Sequence, residues 1–146
     1  MIEIDDITAA VIHCSIRIHR ELGPGLLESV YETVLAGALE REGWSVKRQV
    51  SVDIEYDGMR FEGAFRIDLK IDDRLIAEIK SVENLSRIHA KQLLTYLRLT
   101  KQPVGLLLNF SGETMKEGIR RVVNDYRQPQ ESSASPRLRV NQTNGE

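Results

Sequence analysis

Two short segments carry residues whose types and spacing could do chemistry. Phe65-Arg66-Ile67-Asp68-Leu69-Lys70-Ile71 alternates strictly between apolar and polar, and Leu75-Ile76-Ala77-Glu78-Ile79-Lys80 does so apart from Ile76. A period of two is that of a β-strand, so each segment predicts a strand with one apolar face. If the two are antiparallel neighbours, those faces fix the register, pairing Ile67 with Ile79, Leu69 with Ala77 and Ile71 with Leu75. Asp68 then stands opposite Glu78, with Cβ atoms roughly 5 Å apart. The register needs a three-residue connection, Asp72-Asp73-Arg74, or a bulge. Like charges facing each other are unfavourable in themselves, and a divalent cation would reverse that sign. Mg²⁺ (or Mn²⁺) takes one or two protein carboxylates and leaves room for water and phosphate oxygens. Lys80 lies two residues beyond Glu78 on the same face, about 6.6 Å along the strand. An ammonium there could orient a water or stabilise a phosphoryl transition state. By spacing alone, the same three residues read more simply as the solvated face of an amphipathic hairpin.

The elements that must position these residues can be read on either side. Asp5 or Asp6 can cap a first helix running to about Leu22, with Ile7, Val11, Cys14, Ile18 and Leu22 at helical spacing. Gly23-Pro24-Gly25 ends it, and a second helix is expected from about Leu26 to Glu42, with Leu27, Val30, Tyr31, Val34, Leu35 and Ala38 inward and Gly43 as its stop. Strands are expected near 46–56, 60–71 and 75–82, with Asp57-Gly58 as the hairpin turn between the first two. A third helix spans about Ser86 to Leu99. The apolar run Val104 to Leu108 reads as a buried strand, parallel after that helical crossover. A short helix is expected around Met115 to Asn124. The polar stretch from 127 to 146 reads as a disordered tail behind a single domain of residues 1–126.

The bulk numbers suit one domain of ordinary soluble globular composition: 146 residues, 41% apolar and 29% charged. A net charge of −2 gives no support to a globally basic nucleic-acid binder, though a local patch can bind phosphate. The single cysteine, Cys14, excludes an internal disulfide and a multi-cysteine zinc site, and its place on an apolar face reads as core. No apolar run approaches the ~20 residues needed to span a bilayer. The acidic start, Glu3 to Asp6, is unlike a signal peptide, so a cytoplasmic location is expected. There is no phosphate loop and no serine elbow. His13 and His19 read as the polar face of the first helix, and His89 as a solvent-facing residue.

Several separated motifs resemble one family. Gly25-Leu26-Leu27-Glu28-Ser29-Val30-Tyr31 matches the motif of the GxxExxY proteins. Phe65-Arg66-Ile67-Asp68-Leu69, Glu78-Ile79-Lys80, Gln92-Leu93-Leu94-Thr95-Tyr96-Leu97 and Gly105-Leu106-Leu107-Leu108-Asn109-Phe110 resemble its later segments in the same order. That family resembles a compact branch of the PD-(D/E)xK nucleases. The resemblance implies a restriction-endonuclease-like α/β fold, a central mixed four-stranded sheet flanked by helices. It also implies that Asp68 and Glu78 hold Mg²⁺ (or Mn²⁺), with the Ile79 carbonyl and Glu28 as further contacts, that Lys80 orients the attacking water, and that Gln92 assists. Ile67 stands where the superfamily's name has proline.

Each supporting residue also has a plain structural account. Glu28 sits in the first turn of its helix, where the dipole stabilises a carboxylate. Tyr31 reads first as a core-edge aromatic, with a hydroxyl that could reach the cleft. Gln92 lies on an otherwise apolar stripe with Ile88, Tyr96 and Leu99, and needs a partner if buried. The expected activity is metal-assisted hydrolysis of nucleic acid, with DNA the expected substrate. Arg66, Arg87 and Lys91, with Lys47 and Arg48, are the candidates to neutralise phosphates. The rival is a non-catalytic nuclease-fold module acting with a protein partner; a homodimer is also open, and a small phosphorylated substrate is a third reading.

Overall fold

A computed structural model describes residues 2–125 and 138–144. The elements are α1 (Ile4–Leu22), α2 (Glu28–Arg41), β1 (Val46–Tyr56), β2 (Met59–Ile71), β3 (Leu75–Lys80), α3 (Arg87–Thr100), β4 (Val104–Asn109), a 3₁₀ turn (Lys116–Gly118), β5 (Ile119–Val123) and β6 (Leu138–Asn144). The strands form one mixed sheet in the order β5-β4-β3-β2-β1-β6. All neighbours are antiparallel except β3 and β4, which run parallel across the α3 crossover. This is the expected mixed sheet flanked by helices, with six strands rather than four.

Apolar residues on both faces of β3 and β4 dictate the layering. Leu75, Ala77, Ile79, Val104, Leu106 and Leu108 pack under α1 and α2, against Ile7, Val11, Tyr31, Leu35 and Leu39. Ile76 and Leu107 point the other way and pack with Leu93 and Leu97 of α3. β3 and β4 are buried on both sides, as interior strands of a helix-covered sheet must be. Gly105 lets α3 lie close, since a Cβ there would meet Leu93 side-chain carbons at 3.0–3.1 Å.

Several expectations are corrected. α1 is capped by Glu3, with Asp6 reaching back to the Glu3 N–H at 3.1 Å, rather than by Asp5 or Asp6 themselves. The inward stripe of α2 holds at Tyr31, Leu35 and Ala38 but not at its start: Leu27 is 75% exposed and Val30 39%, whereas Glu32, Ala36 and Leu39 are also buried. Tyr31 stacks on Phe110 with ring centroids 4.4 Å apart. Its hydroxyl donates to the Gly23 carbonyl at 2.6 Å and accepts from the Leu26 N–H at 3.1 Å, so it pins the α1–α2 loop and does not reach a cleft. His19 is buried, not on a polar face, and its Nε2–H donates to the Gly112 carbonyl at 2.8 Å. In place of the helix expected near 115–124 there is only the 3₁₀ turn followed by β5, whose β-branched Ile119, Val122 and Val123 favour strand.

The stretch expected to be a tail divides. Leu138–Asn144 is not a disordered segment but the edge strand β6, paired with β1 from Val50↔Asn144 to Tyr56↔Leu138. Its polar composition hides an alternation in which Val140 packs into the α3-side core. Residues 126–137 and 145–146 lie outside the described residues.

Candidate active site

The β2–β3 connection is the three-residue turn Asp72-Asp73-Arg74, with Asp72 and Asp73 at φ 51° and 54° and the Arg74 N–H bonded to the Ile71 carbonyl at 3.0 Å. It delivers the expected pairs Ile71↔Leu75 and Leu69↔Ala77. The ladder then stops. The expected Ile67–Ile79 pair is absent, and the Ile79 N–H donates to Asp68 Oδ2 at 2.8 Å instead. A side-chain carboxylate has replaced the next backbone acceptor, and the two strands part around it.

β2 also changes sides at this point. Leu69 and Ile71 pack under α1 and α2, whereas Phe65 and Ile67 pack under α3. The expectation that Ile67, Leu69 and Ile71 share a face fails, because regular alternation does not survive the parting of β2 from β3. Asp68 sits at the reversal, and its carboxylate turns along the sheet toward β3.

Glu78 alternates with Ala77 and Ile79 and therefore shares the α3 side of β3 with Ile76. It is only 5% exposed, and among the described residues its Oε1 has no hydrogen-bond partner. Burial first, and then the adjacent Asp68 carboxylate, push its carboxyl well above the usual range, while the Lys80 charge acts in the opposite sense. Lys80 is half-buried and two residues further along the same face. Asp68, Glu78 and Lys80 are thus brought together.

α3 adds a residue that periodicity alone assigns to the core. Tyr96 stacks on Phe65 with centroids 4.2 Å apart. Burial, then the charges of Glu78 and Asp68, raise its phenol above 10.0. Gln92 lies one turn earlier on the same stripe and is exposed, so it is not the buried polar group that would require a partner.

Other candidates fall elsewhere. Glu28 accepts the Ser81 N–H at 3.1 Å, tying the start of α2 to the end of β3. Arg87 and Lys91 are exposed on the first turns of α3. Arg66 alternates with Phe65 and Ile67 and points to the opposite face of the sheet, so the basic set does not form one patch. Lys47 is paired with Asp73 at 2.8 Å and Arg48 with Glu32 at 2.9 Å. His89 accepts from the Ser86 N–H at 3.0 Å and caps α3. Cys14 is buried, its thiol donating to Glu42 Oε2 at 2.7 Å and pushed up to about 12 mainly by burial. A surface cavity of about 190 Å³, lined by Asp53, Ile54, Glu55, Arg60, Arg139 and Asn141, contains none of the carboxylate–lysine set.

The set can be tested as a cation site on its own chemistry. Two carboxyls stand together in a buried setting, one with an orphaned oxygen, and an ion taking one or two protein carboxylates fits that donor pair. Among the described residues, no group of three or more His, Cys, Asp or Glu side chains gathers as a metal cluster. Among the described residues, no helix is long and apolar enough to cross a membrane.

Comparison with curated proteins and with solved structures gives no match. A family model described as the PD-(D/E)XK nuclease superfamily matches residues 5–122, which include both strands, both carboxylates, Lys80 and α3. With that match over most of its length, the chain belongs to the PD-(D/E)XK nuclease superfamily.

Proposed function

We propose that the protein is a metal-dependent nuclease of the GxxExxY type that hydrolyses phosphodiester bonds in nucleic acid, with DNA as the substrate. The observation that carries this reading is the buried Glu78 carboxyl, its Oε1 without a partner among the described residues, set against Asp68 and followed two residues on by Lys80. A protein interior leaves such an atom unpaired at a cost of about 1–3 kcal/mol, and a bound cation would remove that cost. Mg²⁺ or Mn²⁺, held by Asp68, Glu78 and the Ile79 carbonyl, would supply Lewis-acid stabilisation of charge developing on the phosphoryl oxygens.

The remaining work falls to the chain's own groups. Lys80 directs its ammonium along the face that carries Glu78 and orients the attacking water. The Ile79 N–H holds Asp68 Oδ2 in place. Tyr96 packs on Phe65, and Gln92, one turn away and exposed, would hydrogen-bond substrate. Arg87 and Lys91 offer positive charge on the α3 side, and the expected Arg66 contact is dropped from this set because it lies on the other face. Glu28 acts through Ser81, by fixing where β3 ends.

The test is a cleavage assay on duplex DNA, single-stranded DNA and RNA, with Mg²⁺ or Mn²⁺ and with EDTA, for the wild type and Lys80→Ala. The expected outcome is metal-dependent cutting of DNA by the wild type and a loss of 100-fold or more in the variant, the ~10²–10⁴-fold scale of a positioned proton-transfer group. Equal rates in the two proteins would remove Lys80 from the chemistry, and cutting in EDTA would remove the metal. Nucleic-acid binding without cutting would support the non-catalytic module.

A further inference from the structure

Gln49 is the one residue of β1 with a left-handed backbone, at φ 51°. Its place in the register explains why that matters. Arg48 pairs with Leu69 and Val50 with Ile67, so Gln49 stands opposite Asp68, at the one position between those pairs where the ladder is broken. β1 reverses its faces at the same point as β2. Val46 packs on the α1–α2 side, while Val50 and Val52 pack on the α3 side. The two strands therefore kink together, with Gln49 and Asp68 at the shared hinge. A non-glycine residue in this region costs of order 1 kcal/mol and persists only where its surroundings hold it there.

The side chain shows what holds it. Gln49 Nε2 donates to Glu32 Oε1 and reaches Asp68 Oδ1 at 3.4 Å, at the outer limit of hydrogen-bond range. Glu32 is 5% exposed, and its other oxygen is fixed by Arg48 through Nε at 3.2 Å and Nη2 at 2.9 Å. Arg48 Nη2 also donates to Thr33 Oγ1 at 2.8 Å. A chain of contacts thus runs from α2 through Glu32 and Gln49 to Asp68. With the Ile79 N–H on Oδ2, both oxygens of Asp68 have a donor, one from each neighbouring strand. An amide suits this place better than lysine or arginine would. It spans two carboxylates while adding no positive charge that would compete with a cation.

We propose that Gln49 is a positioning residue that aims the Asp68 carboxylate at the cation, anchored by the buried Glu32 and held in a left-handed conformation for that purpose. The proposal rests on the metal-site reading above. It implies a separation that a merely structural glutamine would not show. Glycine adopts this φ without strain, which offsets part of the cost of leaving the buried Glu32 Oε1 without its amide donor. Gln49→Gly should therefore still fold and yet hold the metal less well.

The experiment is calorimetric titration of metal-free full-length protein with Mn²⁺ for the wild type, Asp68→Asn, Gln49→Gly and Gln49→Asn, with thermal melts of each in EDTA. Asparagine tolerates positive φ but is one methylene shorter and cannot span both carboxylates. The expected result is loss of Mn²⁺ binding in Asp68→Asn, and about 10–100-fold weaker binding in both Gln49 variants, the usual scale for a residue that orients a ligand. The melts in EDTA should show both Gln49 variants cooperatively folded at the titration temperature, so that weaker binding reads the site and not loss of the fold. Wild-type Mn²⁺ affinity in the Gln49 variants, with binding lost in Asp68→Asn, would overturn the positioning role alone. A wild type that binds no Mn²⁺, or an Asp68→Asn variant that binds it equally well, would overturn the metal site and this proposal with it.

Discussion

Glu78 places a carboxyl where water cannot solvate it, beside a second carboxyl, and the consequence for stability has a definite sign. Its folded-state pKa lies well above the ordinary 4.5, so between those two values the folded protein holds a proton that the unfolded chain has released. Stability contributed by this group therefore falls as pH rises above 4.5 and is lost through the folded pKa. Glu78→Gln removes the titration while keeping the shape. In EDTA, the variant should melt close to wild type near pH 4.5 and progressively above it as the pH is raised to 8. Adding Mg²⁺ should raise the wild-type melting temperature and leave the variant unmoved. A melting difference that does not change with pH would show that Glu78 ionises freely. The shared face of Glu78 and Lys80 was legible in the sequence, because a period of two sets it whatever lies around them. Asp68, by contrast, approaches Glu78 through a kink in β2 that the expected Ile67–Ile79 register did not contain. Gln49 and Glu32 were not legible either. Nothing local distinguishes Gln49 from any other strand residue, and its left-handed φ follows from the pairing of β1 with β2. Glu32 reads as a surface helix residue until Arg48 and Gln49 are seen to close over it.

Elements were legible where one pattern dominated. The Asp57-Gly58 hairpin, the Asp72–Arg74 turn and the parallel strand after α3 follow from turn chemistry and from an apolar run. They failed where a tertiary contact outweighed local preference. α2 illustrates this at its start, where Leu27 lies before the first turn as the N-cap and stays outside while Tyr31 stacks on Phe110. Gly118 illustrates it for the segment after β4. A Cβ on Gly118 would lie 2.0 Å from the Asn109 carbonyl oxygen, which no side-chain motion can relieve. Asn109 in turn holds the loop after β3, accepting the Val82 N–H at 3.0 Å and donating to the Val82 carbonyl at 2.9 Å. Glycine here is a packing requirement linking β5, β4 and the end of the strand that carries Glu78 and Lys80. Gly118→Ala should therefore destabilise by upwards of about 3 kcal/mol, at or beyond the top of the usual range for overpacking. Denaturant unfolding measures this directly, and a loss under about 1 kcal/mol would mean that β5 shifts freely away from β4.

At the scale of the whole molecule, the region matched by the family and the described sheet do not end together. The match stops at residue 122, whereas the sheet continues through β6, which covers the outer edge of β1 from Val50 to Tyr56. β6 is held by main-chain pairing, by Val140 packed into the α3-side core, and by the Gln142 side chain, whose Oε1 accepts from Lys70 Nζ. An uncovered strand edge invites pairing with another chain, and this one is flanked by the exposed apolar side chains of Tyr56, Met59 and Phe61. Gln49 and Val50 lie where β6 begins to pair, so its cover extends to the hinge that holds Asp68. A chain ending at Asp125 should keep the five-strand core and its helical content, because none of those strands depends on β6 for its partners. It should melt several degrees lower, since about 1 kcal/mol corresponds to roughly 2–8 °C for domains of this size range. It should also associate as concentration rises, because β1 then presents an open edge. Circular dichroism melts and light scattering across a concentration series test the two effects separately. A truncated chain that stays monomeric and melts with the full-length protein would show that β6 contributes neither stability nor edge protection.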